Sequence, residues 1–212
     1  MTPDGSRDDA RARPAPRNHD VGHDVGDDLG LGAVVWWAPL TLADIGLRQL
    51  LPPDESARID RADRAADRAR RLLGAAVLRT AVAHRTGADP LALRIDRTCA
   101  DCGAQHGRPR IIGHDLYASV SHSGLLTVVA LAPDPVGVDV QRDSDVVATT
   151  GGDVAEWVRA EATLKARLEP DDRGRIVVTA LHPPVVGHTA ALARGVAGPV
   201  DERDAAVLLP RP

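Results

Sequence analysis

Phenylalanine is absent from the 212 residues, and three tryptophans and one tyrosine are the whole aromatic content. An interior without large rings must be filled by Ala, Val, Leu and Ile, and a surface without them offers no platform for stacking nucleic-acid bases. Cysteine is nearly as scarce. Cys99 and Cys102 are too few and too close together for the disulfide framework of a small secreted domain. Long apolar runs are missing too: nothing approaches the roughly 20 residues that cross a bilayer, and the polar N-terminus lacks the apolar stretch of a signal peptide. The expectation is a soluble cytoplasmic protein with no membrane partner. Positive charge is not in excess, since 30 acidic and 26 basic side chains leave a formal charge of −4, which argues against a general binder of nucleic acid or anionic membrane. Any basic function has to be local.

The chain is 43% hydrophobic, enough for a core, and its length suits one domain or two small fused halves. Residues 1–30 hold almost no large apolar side chain and are predicted to be a disordered, low-complexity tail. Within them His19-Asp20-Val21-Gly22 is repeated as His23-Asp24-Val25-Gly26, a solvated repeat or a weak metal binder. The folded part is expected to start near residue 31, with a strand over 33–38. Pro52-Pro53-Asp54-Glu55 then marks a helix start. Ile59, Ala62, Ala66, Ala69, Leu73, Ala76 and Thr80 recur at steps of three and four, predicting one long amphipathic helix that ends near Gly87. Arg61, Arg64, Arg68 and Arg71 alternate with Asp60, Asp63 and Asp67 on its polar side, the pattern of a solvated, ion-paired face. Arg70, Arg71 and Arg79 have no such acid nearby in sequence and could offer guanidinium groups to an anion.

Short β-like pieces follow at 91–95, 109–112, 117–121, 126–132 and 136–140; the last two flank Pro133-Asp134-Pro135 and predict a hairpin. A second amphipathic helix is predicted over 153–168, ended by Pro170, and 176–181 and 188–193 read as closing strands. Strand, helix, strands, and the same order again: an α+β pair of similar halves, 31–114 and 115–212.

Four places could carry chemistry. Ser119-Val120-Ser121-His122-Ser123-Gly124 sets an imidazole among hydroxyls at a strand end. Adjacent strand residues face opposite sides, so a Ser121–His122 nucleophile and base is disfavoured against anion recognition, or against an ordinary polar strand end. Asp139 interrupts the apolar strand Val136-Gly137-Val138-Asp139-Val140 and needs a cationic partner, a metal or an arginine. Trp157, Glu161 and Lys165 share one helix face, and the tryptophan argues against full exposure there. Glu161 and Lys165 are then either an i,i+4 surface pair or the flanks of a metal or phosphate site. Finally, Cys99-Ala100-Asp101-Cys102 with His106, and with His114 farther on, has the spacing of half a zinc site but no second cysteine pair. A loop turn with two reduced thiols is its default reading.

Taken in order, these segments resemble the surfactin-synthetase-type 4'-phosphopantetheinyl transferases, especially short actinobacterial members. The likeness covers residues 31–170. It is carried by Trp36-Trp37-Ala38-Pro39-Leu40, Asp67-Arg68-Ala69-Arg70-Arg71-Leu72-Leu73-Gly74, Gly107-Arg108-Pro109, the Ser119–Gly124 stretch, Val136-Gly137-Val138-Asp139, and 157–166 with its Trp157, Glu161 and Lys165. The resemblance implies a pseudo-dimeric fold, two similar halves each with a small sheet on a long helix, and coenzyme A bound between them. It implies transfer of the phosphopantetheine arm of coenzyme A to a serine of an acyl or peptidyl carrier protein in fatty-acid, polyketide or nonribosomal-peptide synthesis, with release of adenosine 3',5'-bisphosphate. It places Mg2+ on Asp139 and Glu161, proton acceptance on Glu161, phosphoryl neutralisation on Lys165, and nucleotide phosphates on Arg70, Arg71, Arg108, Ser121 and His122. A monomer is expected, since one chain holds both halves. Three features depart from the family: Gln141 stands where many members carry a third acid, Ala160 replaces a lysine, and only seventeen residues separate Asp139 from Trp157. A coenzyme-A- or carrier-binding homologue without turnover is the alternative.

Overall fold

A computed structural model describes residues 32–166 and 176–210. The expected tail over residues 1–30 with its histidine repeat, and the predicted end of the second helix at Leu168 and Pro170, lie outside the described residues. Nine strands and four α-helices follow one another among the described residues: β1 (Ala33–Pro39), α1 (Pro53–Asp60), α2 (Ala65–Thr86), β2 (Arg94–Thr98), β3 (Gln105–Ile112), β4 (Tyr117–Ser123), β5 (Leu126–Ala132), β6 (Val136–Arg142), α3 (Asp143–Thr150), α4 (Val154–Ala166), β7 (Val177–Ala180), β8 (His188–Arg194) and β9 (Val200–Asp204). The class is α+β. No helix among them is long and apolar enough to cross a membrane.

The strands form a six-stranded sheet, ordered β2-β3-β4-β5-β1-β9, and a three-stranded sheet, ordered β6-β8-β7. Strand alternation gives each sheet two apolar faces, and the layers follow from it. Val34, Trp36, Val129 and Leu131 pack with Leu73, Val77 and Leu78 of α2. Their strand neighbours Val35, Trp37, Val128 and Ala130 turn the other way, onto Val136, Val138 and Leu192 of the small sheet. Behind that sheet, Ala191 and Ala193 meet Val158, Ala162 and Ala166 of α4. The stack is α2, large sheet, small sheet, α4.

A shared strand pattern underlies the stack. β1 pairs antiparallel with β5 and β5 with β4, with α2 lying between β1 and β4 in sequence. β6 pairs antiparallel with β8 and β8 with β7, with α4 in the same place. The large sheet runs across the boundary expected at 114/115, because β4 and β5 pair in the sheet that holds β1. The chain changes sheets at Pro133-Asp134-Pro135 and returns to the large sheet with β9. For the same reason the predicted β5–β6 hairpin does not form. β5 has β4 on one edge and β1 on the other, which leaves no edge for β6, and the turn delivers β6 to β8 instead. Arg194 of β8 holds the turn by an ion pair with Asp134.

The long helix predicted from Pro53 to Gly87 is two helices. Arg64, with extended backbone, caps α2, and the Arg68 guanidinium gathers the carbonyls of Ala62 and Asp63 at the break. The break has a purpose in packing. On one continuous helix Glu55 and Arg79 would stand about 36 Å apart; here Arg79 Nε donates to Glu55 Oε2 at 2.7 Å, with both side chains buried. Arg79 also donates to the carbonyls of Pro90 and Leu93, so it is a structural group and not part of an anion-facing surface. Arg70 is likewise paired, with Asp67. α2 ends at Gly87, whose φ of +72° is the left-handed cap favoured by glycine.

Candidate functional site

β4 and β6 belong to different sheets but lie side by side. β6 is an edge strand, and its outward N–H groups need acceptors. The alternate serines of β4 supply them: Val138 N–H donates to Ser119 Oγ at 3.0 Å, Val140 N–H to Ser121 Oγ at 3.4 Å and Arg142 N–H to Ser123 Oγ at 3.0 Å. The hydroxyls expected to recognise an anion thus join the two sheets. Ser121 in particular is buried and lines neither cavity described below.

Gly137 sets the distance of the other wall. A Cβ on Gly137 would lie 2.0 Å from the carbonyl oxygen of Ala162 and 2.4 Å from the amide nitrogen of Ala166, so α4 rests directly on the β6 backbone. Two residues along β6 on the same side stands Asp139, 1% exposed. Lys165, the only lysine of the chain, reaches it from α4: Nζ donates to Asp139 Oδ1 at 2.5 Å and to Ser121 Oγ at 3.0 Å. Ser121 Oγ donates to Asp139 Oδ1 at 2.8 Å, and Gln141 Nε2 to Asp139 Oδ2 at 3.2 Å. Lys165 therefore pairs across elements with Asp139, not with Glu161 along its own helix. Glu161, one turn earlier, is half-buried and has no ion-pair or hydrogen-bond partner among the described residues. Trp157 on the same face is 40% exposed, more than its use as a sign of burial allowed. The short segment before it holds α3, two turns of helix.

A cavity of about 440 Å³ opens between α2, β4 and the β2–β3 hairpin, within the range of small-molecule sites. Its wall brings together Arg70, Arg71 and His122, and adds Arg58, Arg61 and Arg97. These three were missed. Arg61 reads in the sequence as one of the solvated charges on a helix face, and nothing in the sequence marks Arg58 or Arg97. Burial is the main reason that the Arg97 guanidinium is pushed down to about 10, with the charge of Arg58 adding to it. Its Nε is buried without a hydrogen-bond partner. An anion in the cavity would relieve both conditions. A second cavity of about 320 Å³ shares Arg97, His106 and Val120 with the first and continues to Arg108 and Lys165. Arg108 is on this side, donating to the Ala166 carbonyl at 2.9 Å and lying 5.7 Å over the Tyr117 ring.

Partial burial, and then the positive charges of Arg70, Lys165 and Arg71, hold His122 below the ordinary histidine range, so it faces the cavity as a neutral imidazole near pH 7. A bound anion opposes those charges and raises its affinity for a proton. Anion binding is therefore expected to tighten as the pH falls, by up to about tenfold if the bound anion raises the proton affinity of the ring tenfold. Sulfate, which does not titrate in this range, is the probe for calorimetry. His122→Ala should flatten the dependence, and an unchanged slope would remove His122 from the site.

Asp139 and Glu161 are the two carboxylates that a magnesium ion would use here, and Asp139 is held at present by Lys165, Ser121 and Gln141. Mg2+ is held by one or two protein carboxylates plus phosphate oxygens, and Asp139 and Glu161 stand on two elements packed together. The present partner of Asp139 is a lysine whose side chain is 31% exposed and lines the second cavity. No protein-family model matches this chain, and no curated protein matches it.

Proposed function

We propose that the protein is a 4'-phosphopantetheinyl transferase of the pseudo-dimeric type, moving the phosphopantetheine arm of coenzyme A onto a serine of an acyl or peptidyl carrier protein. One observation carries the reading: an arginine-walled cavity shares Arg97, His106 and Val120 with a second that reaches Lys165, the partner of the buried Asp139. A nucleotide with several phosphates fits the first, and a pyrophosphate reaching toward a metal fits the second. The repeated strand order of the two halves, and the residues that resemble the family, support it further.

Arg70, Arg71 and Arg97 would grip the nucleotide phosphates, and His122 would take a proton as they bind. Asp139 and Glu161 would hold Mg2+, which supplies neutralisation of the pyrophosphate when bound. Lys165 would leave Asp139 for the phosphoryl group under attack. Glu161, as the unpaired carboxylate, would accept the proton of the carrier serine. The serine oxygen forms a bond to the phosphorus bearing pantetheine, the bridging P–O bond breaks, and its electron pair leaves with adenosine 3',5'-bisphosphate. A coenzyme-A-binding protein without turnover is the second reading, favoured by an Asp139 already neutralised by Lys165.

Intact-mass measurement of a panel of apo acyl and peptidyl carrier proteins, incubated with the full chain, coenzyme A and Mg2+, tests the proposal. The expected result is addition of the phosphopantetheine mass to at least one carrier, lost on chelation of the metal. Saturable coenzyme A binding with no mass gain on any carrier would overturn turnover in favour of the second reading.

A further inference from the structure

Neither the arginine cavity nor the Asp139 pair makes use of the chain's two cysteines. Cys99 is buried just after β2, and Cys102 is exposed in the turn that leads to β3. Two backbone bonds close that turn, Gly103 N–H to the Cys99 carbonyl at 2.9 Å and Cys99 N–H to the Ala104 carbonyl at 2.8 Å. Gly103 makes the closure possible with a φ of +74°, which a side chain would oppose. The turn folds the Cys-x-x-Cys segment back on itself and brings the start of β3 over it. Cys102 Sγ lies 3.0 Å from His106 Nε2, and the donor atoms of Cys99, Cys102 and His106 are all within 4.8 Å of one another. His114, the other histidine considered with this pair, is not part of the cluster.

We propose that Cys99 Sγ, Cys102 Sγ and His106 Nε2 bind one zinc ion, with water as the fourth ligand. Zinc bonds of about 2.3 Å to sulfur and about 2.0 Å to nitrogen set tetrahedral donors about 3.5 to 3.8 Å apart. The cluster reaches that geometry if its widest pair closes by about 1 Å and the Cys102–His106 pair opens by about 0.5 Å, changes that χ rotations of the exposed Cys102 and His106 supply. Two thiolates and an imidazole are soft and borderline donors, which favour zinc and disfavour the magnesium suited to Asp139 and Glu161. On binding, each thiol yields its proton to solvent and His106 coordinates as the neutral ring, so up to two protons leave per ion.

The position of the cluster gives the ion a role. Arg97 lies two residues before Cys99, and Arg108 two residues after His106; the first walls both cavities and the second the smaller one. Arg58 Nη1 also donates to the Gln105 carbonyl beside the ligand His106, at 3.2 Å. A metal in the turn would hold this wall of guanidinium groups in place, at the edge of the second cavity that Cys99 and His106 also line. The zinc site does not depend on the transferase reading, and it is measured without coenzyme A or a carrier.

The test uses the full chain, reduced and freed of metal by a chelator, then titrated with zinc chloride against a chromophoric competitor. Binding of one zinc ion per chain, with proton release and with thiolate-to-metal absorption when cobalt replaces zinc, is expected. Cys102→Ser and His106→Ala, both at exposed positions, should each weaken zinc by more than the tenfold to hundredfold that loss of a supporting hydrogen bond costs. Sulfate should bind more weakly to the zinc-free protein. A chain with both thiols titratable that takes up no zinc, or one whose zinc affinity survives both substitutions, would overturn the site. Equal sulfate affinity with and without zinc would overturn its bracing role.

Discussion

Gly137→Ala is expected to lower stability by about 3 kcal/mol, the upper end of what overpacking usually costs. The added methyl would stand 2.0 Å from one backbone atom of α4 and 2.4 Å from another, and backbone cannot rotate out of the way as a side-chain end can. Relief requires α4 to lift from β6, and Lys165 and Glu161 would move with it. Gly74→Ala is the matched control. Its Cβ would meet only the methyl ends of Val120 and Thr127, at 3.3 and 3.4 Å, and alanine gains about 1 kcal/mol over glycine in a helix interior. That variant should fall within about 1 kcal/mol of the parent. Urea denaturation midpoints at unchanged slope compare the two. Equal stabilities would mean that α4 is not seated on Gly137.

Lys165→Ala should cost about 2 to 3 kcal/mol, because it leaves the carboxylate of Asp139 buried without its cation. The figure lies below the usual range for a broken buried pair, since Ser121 and Gln141 still donate to Asp139. Adding Asp139→Asn to that variant removes the stranded charge and should recover part of the loss. In the double-mutant cycle a coupling near zero would mean that the pair contributes nothing in solution. Under the proposed function the same two residues decide turnover. Asp139→Ala should abolish Mg2+-dependent transfer while coenzyme A still binds, because the arginine cavity does not include Asp139. Activity surviving at a tenth or more of the parent's, a barrier change of about 1.4 kcal/mol, would remove Asp139 from the metal site.

The elements most visible in the sequence were those whose periodicity is local. The strand 126–132 and the strand 188–193 stand where the alternation and apolar runs placed them, the latter extended by Arg194. Errors arose where a distant partner decides. The helix pattern from Ile59 to Thr80 has no local stop at Arg61–Arg64, and only the distant Glu55–Arg79 pair explains why the helix breaks there. The turn at Pro133-Asp134-Pro135 looks like a hairpin until both edges of β5 are known to be occupied. The serines of β4 carry the same difficulty. A row of hydroxyls reads as a ligand site, but whether hydroxyls face solvent or the N–H edge of another sheet depends on a strand nineteen residues away.

By itself the sequence determined the α+β class, the two helices that cover the sheets and the carboxylate of Asp139, which an apolar strand cannot bury without a cation. These follow from side-chain spacing and from the cost of burying charge, both properties of short segments. Tertiary structure alone decided that Lys165 is that cation, that Arg79 is structural, and that Arg58, Arg61 and Arg97 join Arg70 and Arg71 in one cavity. Arginine is long and charged wherever it occurs, so its role is fixed by what the fold places within reach of its guanidinium, and sequence distance carries no record of that.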